Sequence, residues 1–132
     1  MSSKYVLMLE NDADDRYITQ TTLAELQYDV PVRYEYYSPA LPDLIKHDRP
    51  AIILLAYNTS PESGIEVVKH FRSIRDYSHV PIVILIEEIP PHYIKQYYTA
   101  GANSVIKKPS SVELTNKKIK GFFEYWFNVA EL

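Results

Sequence analysis

The chain has 132 residues, 46% of them apolar, enough for one buried core and unlike a disordered tail. Its 14 basic and 17 acidic side chains leave a formal charge of −3, which is no electrostatic footprint for nucleic acid. No apolar run approaches the roughly 18 residues of a membrane helix. There is no cysteine, so disulfides and thiolate metal sites are excluded. The opening MSSKYVLMLE is too short in its apolar part and too soon acidic for a signal peptide. A single cytoplasmic domain over residues 1–132, binding neither nucleic acid nor membrane, is expected.

KYVLML (4–9) is the first strand candidate, and a helix follows in ENDADDRYITQTTLAELQY. Asp12 can cap that helix, and Asp14 and Asp15 suit the positive end of its dipole. VRYEYY (32–37) alternates apolar and polar and reads as a half-exposed strand. SPALPDLIKHD is a short helix with Pro39 or Pro42 near its start. AIILL (51–55) is apolar throughout, a strand buried on both faces. In ESGIEVVKHFRSIRD, Val67, Val68, Phe71 and Ile74 share a helical stripe. VPIVILI (80–86) is another buried strand, and PPHYIKQYYTAG is a helix opened by prolines and stopped at Gly101. NSVI (103–106) is a short strand. Ser110 and Glu113, at capping-box spacing, open a last helix carrying Ile119, Phe122, Phe123 and Trp126.

Strands alternating with helices mean βαβ units, a parallel sheet and right-handed crossovers. Strands 1, 3 and 4 are the most apolar and should be central, with strand 2 at an edge. That favours a flavodoxin-like (βα)5 doubly wound sheet of order 2-1-3-4-5. Ligands in this topology bind beyond the carboxyl ends of strands 1 and 3. Those ends are Glu10-Asn11-Asp12 and Ala56.

Four segments, in order, resemble the receiver domains of response regulators. They are VLMLENDADDR, RPAIILLAYNTSPESGIEVVKHFR, VPIVILI and AGANSVIKKP, and together they span almost the whole chain. The resemblance implies a module of two-component phosphorelay signalling rather than an enzyme. In that family an aspartate after strand 3 takes a phosphoryl group from a histidine kinase. An acidic pair after strand 1 holds Mg²⁺, which neutralises charge on the transferring oxygens. A Thr or Ser after strand 4 and a Lys before a Pro bind the phosphoryl oxygens, and an aromatic residue on strand 5 follows the hydroxyl.

At these positions the chain departs from the family. The acceptor position falls on Ala56, whose methyl can neither attack phosphorus nor ligate a metal. The acidic pair maps to Glu10 and Asn11, the hydroxyl to Ile86 and the switch aromatic to Val105. Lys108 is retained, and the resemblance implies a cis bond between Lys108 and Pro109. The joint loss points to a degenerate pseudo-receiver with Mg²⁺ binding lost or weak, Glu10 and Asp12 being the weak metal candidates. The alternative is an ordinary phospho-accepting receiver seen as an Asp-to-Ala variant. Lys108 should pair with Glu10 or Asp12 across the pocket.

Thr59 and Ser60 are read as loop polarity rather than substitute acceptors, and His47, His70, His79 and His92 as surface or loop residues without metal-ligand spacing. Tyr93, Tyr97 and Tyr98 on the fourth helix, beside Phe122, Phe123 and Trp126 on the fifth, mark helix 4, strand 5 and helix 5 as the partner face. The partner would be a histidine kinase or another receiver, and the same face could serve a homodimer. The chain ends soon after the fifth helix, so no output domain is expected in it. A small-molecule or enzymatic flavodoxin-like domain is disfavoured, because its three glycines form no phosphate loop and no Ser-His-Asp set is visible.

Overall fold

The computed structural model describes residues 4–10, 13–56, 61–87 and 89–132. Strands β1 (Val6–Leu9), β2 (Val32–Glu35), β3 (Ile52–Leu55), β4 (Ile82–Ile86) and β5 (Ser104–Lys107) alternate with helices. These are α1 (Ala13–Leu26), α2 (Leu41–Leu44), α3 (Pro61–Ser73), α4 (Pro91–Ala100) and α5 (Val112–Glu124). The strands pair in parallel in the order β2-β1-β3-β4-β5, the flavodoxin-like arrangement expected from the apolar pattern. Every residue of β1, β3 and β4 is buried, so these strands take the centre. The alternating VRYE of β2 fits an edge, where one face stays wet.

Two apolar layers sandwich the sheet. On one face Ile53, Leu55, Ile82 and Ile84 meet Val68 and Phe71 of α3 and Tyr97 of α4. On the other, Val6, Met8, Leu54 and Val83 meet Leu23 of α1 and Phe122 and Phe123 of α5. Each such fully buried side chain contributes roughly 1.5–3 kcal/mol of transfer free energy. The α3 stripe holds for Val67, Val68 and Phe71. Ile74 lies one residue past the helix, in extended backbone, and is only partly covered.

Helix α4 stops where its sequence says it should. Gly101 has φ +120, and the amides of Gly101 and Ala102 both return to the Tyr97 carbonyl, at 3.2 and 3.0 Å. The start of α5 differs from expectation by one residue. Ser111, not Ser110, is the cap, its Oγ accepting from the Leu114 amide at 3.0 Å. Ser111 has the extended backbone that aims its hydroxyl at the first turn, so Glu113 completes no capping box. Helix α5 runs on into a π-helical turn, Tyr125–Val129.

Candidate functional site

The carboxyl ends of β1 and β3 lie side by side where the winding of the sheet reverses, the place such sheets keep for a ligand. Glu10 follows β1 and is fully buried, at 0% exposure, its carbonyl accepting from Arg16 Nη2 at 2.7 Å and Nε at 3.2 Å. Ala56 follows β3, its amide donating to the Leu9 carbonyl at 3.0 Å. Its methyl is 5% exposed and packs in the α1–α5 layer with Met8, Leu54 and Leu85. Ile86 closes β4 and packs into the opposite layer, where Val105 of β5 is half-buried. Asn11, Asp12, Thr59 and Ser60 lie outside the described residues.

Lys108 reaches into this end of the sheet and meets a partner that the sequence reading did not name, while Asp12, one of the two it did name, lies outside the described residues. Its Nζ lies 2.5 Å from Asp15 Oδ2 and 3.8 Å from Glu87 Oε1. Burial alone would push its pKa down; the hydrogen bond it donates to Asp15, then the charges of Asp15, Glu87 and Glu10, outweigh it and leave the pKa raised. The sequence reading gives Asp15 only to the helix dipole. It is buried because it shares the inward stripe of α1 with Thr19, Thr22 and Leu23, a 3–4 spacing visible in the sequence. The sequence could have flagged Asp15 on that ground; its partner, 93 residues away, it could not.

The Lys108–Pro109 peptide is trans, as are all peptide bonds among the described residues, contrary to the cis bond implied by resemblance. The Lys108 amide simply extends the β5 ladder, donating to the Ile86 carbonyl at 2.7 Å, and the ordinary trans preference of an X–Pro bond prevails.

The tyrosines of α4 divide into three roles. Tyr97, expected on a partner face, is only 1% exposed and belongs to the core. It packs so tightly on α3 that a Cβ at Gly64 would collide with its Oη. Tyr93 is half-buried, and its hydroxyl donates to Glu62 Oε1 on α3, which holds its pKa above the usual phenol value. Tyr98 alone of the three is open to solvent, at 49%. Phe122, Phe123 and the half-buried Trp126 do not sit beside them, because the sheet separates the α5 layer from the α4 layer. Among the histidines, His47, His79 and His92 are exposed as expected. His70 is instead half-buried, its Nδ1 hydrogen-bonded to the Tyr37 hydroxyl and its ring beside Phe71.

The sequence family model of the response regulator receiver domain matches residues 6–120. The chain belongs to that family. It is 24% identical over 115 residues to a chemotaxis protein CheY homolog of Campylobacter jejuni, covering 87% of this chain and 88% of that protein. The crystal structure of a response regulator from Hahella chejuensis superposes with a TM-score of 0.86 at 26% identity, over 98% of this chain and 99% of that one. A response regulator in red light signaling of R. palustris superposes at 0.81 with 21% identity, covering 98% of each chain. The protein is thus a receiver domain of two-component signalling. No helix among its described residues is long and apolar enough to cross a membrane.

The Mg²⁺ that receivers use can be tested against this receiver's own donors. Magnesium asks for a near-octahedral shell of oxygens. Ala56 offers none, and Asp15 already carries the Lys108 ammonium. Among the described residues, Glu10 brings a buried carboxylate to this end of the sheet, and one carboxylate by itself is not an octahedral shell.

Proposed function

We propose that this receiver acts without phosphoryl transfer, as a docking module for a signalling protein such as a histidine kinase or another receiver. The observation that carries the reading is the buried methyl of Ala56 at the carboxyl end of β3. Three further features support it. The lysine that would bind phosphoryl oxygens is neutralised by Asp15, Ile86 has no hydroxyl to move, and Val105 has no ring to follow it. Residues 1–132 act as one receiver-like unit without enzymatic turnover, and Mg²⁺ binding is weak or lost. A cytoplasmic setting fits a partner of this kind. The docking face is α4–β5–α5, where Tyr98 supplies an exposed ring. The second reading, an ordinary receiver carrying an Asp-to-Ala change, is favoured by the retained Glu10 and Lys108.

One experiment separates the two. Ala56→Asp and the unaltered protein are titrated with Mg²⁺ and beryllofluoride, which stands in for a phosphoryl group on an aspartate, and followed by backbone amide shifts. The proposal expects both proteins to stay silent at β4, β5 and α4. Tight binding to the Ala56→Asp variant, with shifts spreading across those elements, would show a switch intact but for one residue and would sink the proposal.

A further inference from the structure

The two edges of the sheet are finished differently. Along β5, the bond from the Lys108 amide to the Ile86 carbonyl sets residues 104, 106 and 108 toward β4. Val105 and Lys107 therefore turn their backbone polar groups outward. Flanking helices cover two of these groups. The Val105 amide donates to Tyr98 Oη at 3.1 Å, and Lys118 Nζ donates to the Lys107 carbonyl at 2.7 Å. Such coverage blunts an edge against pairing.

Among the described residues the β2 edge has no such cover. The Val6 amide donates to the Pro31 carbonyl at 3.0 Å, and Val6 and Met8 align with Val32 and Tyr34. Residues 31, 33 and 35 thus face β1, while Val32 and Tyr34 turn their N–H and C=O groups to the open side. Among the described residues no side chain bonds to them. The strand and the residue after it read Val32-Arg33-Tyr34-Glu35-Tyr36, rich in the β-branched and aromatic types that pair well.

We propose that a second copy of this chain pairs with this edge, β2 to β2, antiparallel about a two-fold axis through Tyr34. In that register Tyr34 meets Tyr34 of the second copy, Val32 meets Tyr36, and Arg33 meets Glu35. The outward-turned residues fall opposite one another, as exchanged N–H···O bonds require. The charges are self-complementary. Arg33 Nε and Glu35 Oε1 already sit 2.8 Å apart within one chain, on the face opposite Val32 and Tyr34. Two copies extend that pair into four alternating charges. The neighbouring registers of the same parity place Arg33 on Arg33 or Glu35 on Glu35, and like charges directly opposite disfavour them. On the other face the exposed Tyr36 ring, 65% open in one chain, gains Val32 as a neighbour. The two-fold contact closes on itself and gives a dimer, not a filament.

The test is a charge exchange between copies of this chain. The unaltered protein, Arg33→Glu, Glu35→Arg and a 1:1 mixture of the two variants are followed by light scattering over a concentration series, with circular dichroism to confirm folding. The unaltered protein should dimerise, and each variant alone should dissociate roughly tenfold more readily, since like charges then face each other twice. The mixture should recover a 1:1 dimer, because the two strand glutamates of the Arg33→Glu chain then meet the two strand arginines of the Glu35→Arg chain. The internal Arg33–Glu35 pair is absent from both variants, so only contact between chains can produce that recovery. In the unaltered dimer the Val32 and Tyr34 amides should also gain exchange protection with concentration. A protein that stays monomeric, a dimer indifferent to both variants, or a mixture that does not recover would each overturn the proposal.

Discussion

Lys108 and Arg72 are both half-buried in this receiver, and their surroundings oppose each other. Lys108, at the carboxyl end of the sheet, is held by a carboxylate, with Asp15 Oδ2 at 2.5 Å. Arg72, on α3, is held by neutral oxygens. It donates to the carbonyls of Tyr77 and Val80 at 2.8 Å each, to that of Gly101 at 2.9 Å and to Asn103 Oδ1 at 2.8 Å. The consequences for charge follow the partners. Carboxylates outweigh burial at Lys108 and raise its pKa, whereas burial alone lowers that of Arg72. A guanidinium fork suits several fixed carbonyls at once; an ammonium suits one point charge. Arg72 is therefore a staple joining α3 to the segments that lead into β4 and out of α4, and Lys108 a charge seated where the family does its chemistry.

The comparison can be broken first at the staple. Arg72→Met removes the side-chain donor of the Val80 and Gly101 carbonyls, leaves the Tyr77 carbonyl with the Val80 amide, and should cost about 2–3 kcal/mol in urea unfolding. Partner binding should be unaffected; a loss confined to binding, with stability unchanged, would make Arg72 a site residue instead. Gly101→Ala should come next, at about 1–2 kcal/mol, because φ +120 is strained for any side chain. Its Cβ would also lie 2.7 Å from Arg72 Cγ; a methionine keeps a Cγ but not the hydrogen bonds that pin it there and can swing aside, so the double variant should cost less than the sum of the two.

Lys108→Met should have the smallest effect, about 1 kcal/mol at neutral pH, because the attraction to Asp15 is offset by the cost of burying the ammonium. Its pH dependence identifies it. The folded-state pKa of Lys108 is raised above 10.5, so its contribution is complete below that value and is lost as pH climbs through the raised one. The stability gap between the unaltered protein and Lys108→Met should then close on the alkaline side and stay constant between about pH 7 and 9. A gap that varied across that neutral range would assign the effect to another group.

Much of this was legible in the chain. The apolar runs of β1, β3 and β4 and the alternation in VRYE set the strand order, because burial on two faces or on one writes a different pattern. Gly101 announced the end of α4, since a left-handed terminal residue favours glycine. Resemblance to the receiver motifs placed Ala56 and Lys108 at the carboxyl end of the sheet. Less legible was anything that depended on which face an element presents to which neighbour. Tyr97 and Tyr98 are adjacent and chemically identical, yet one fills the core and the other lies in water. Ser110 and Ser111 are equally good caps, and backbone geometry chose the second.

The sequence by itself determined the family, the alternating architecture and the methyl at the acceptor position, because these rest on residue identity and local periodicity. Tertiary structure alone decided that Lys108 takes Asp15, that α4 and α5 lie on opposite sides of the sheet, and that among the described residues side chains cover the β5 edge but not the β2 edge. Those outcomes depend on contacts between residues far apart in the chain, where shape and the cost of leaving a buried charge or a backbone group unpaired select the partner.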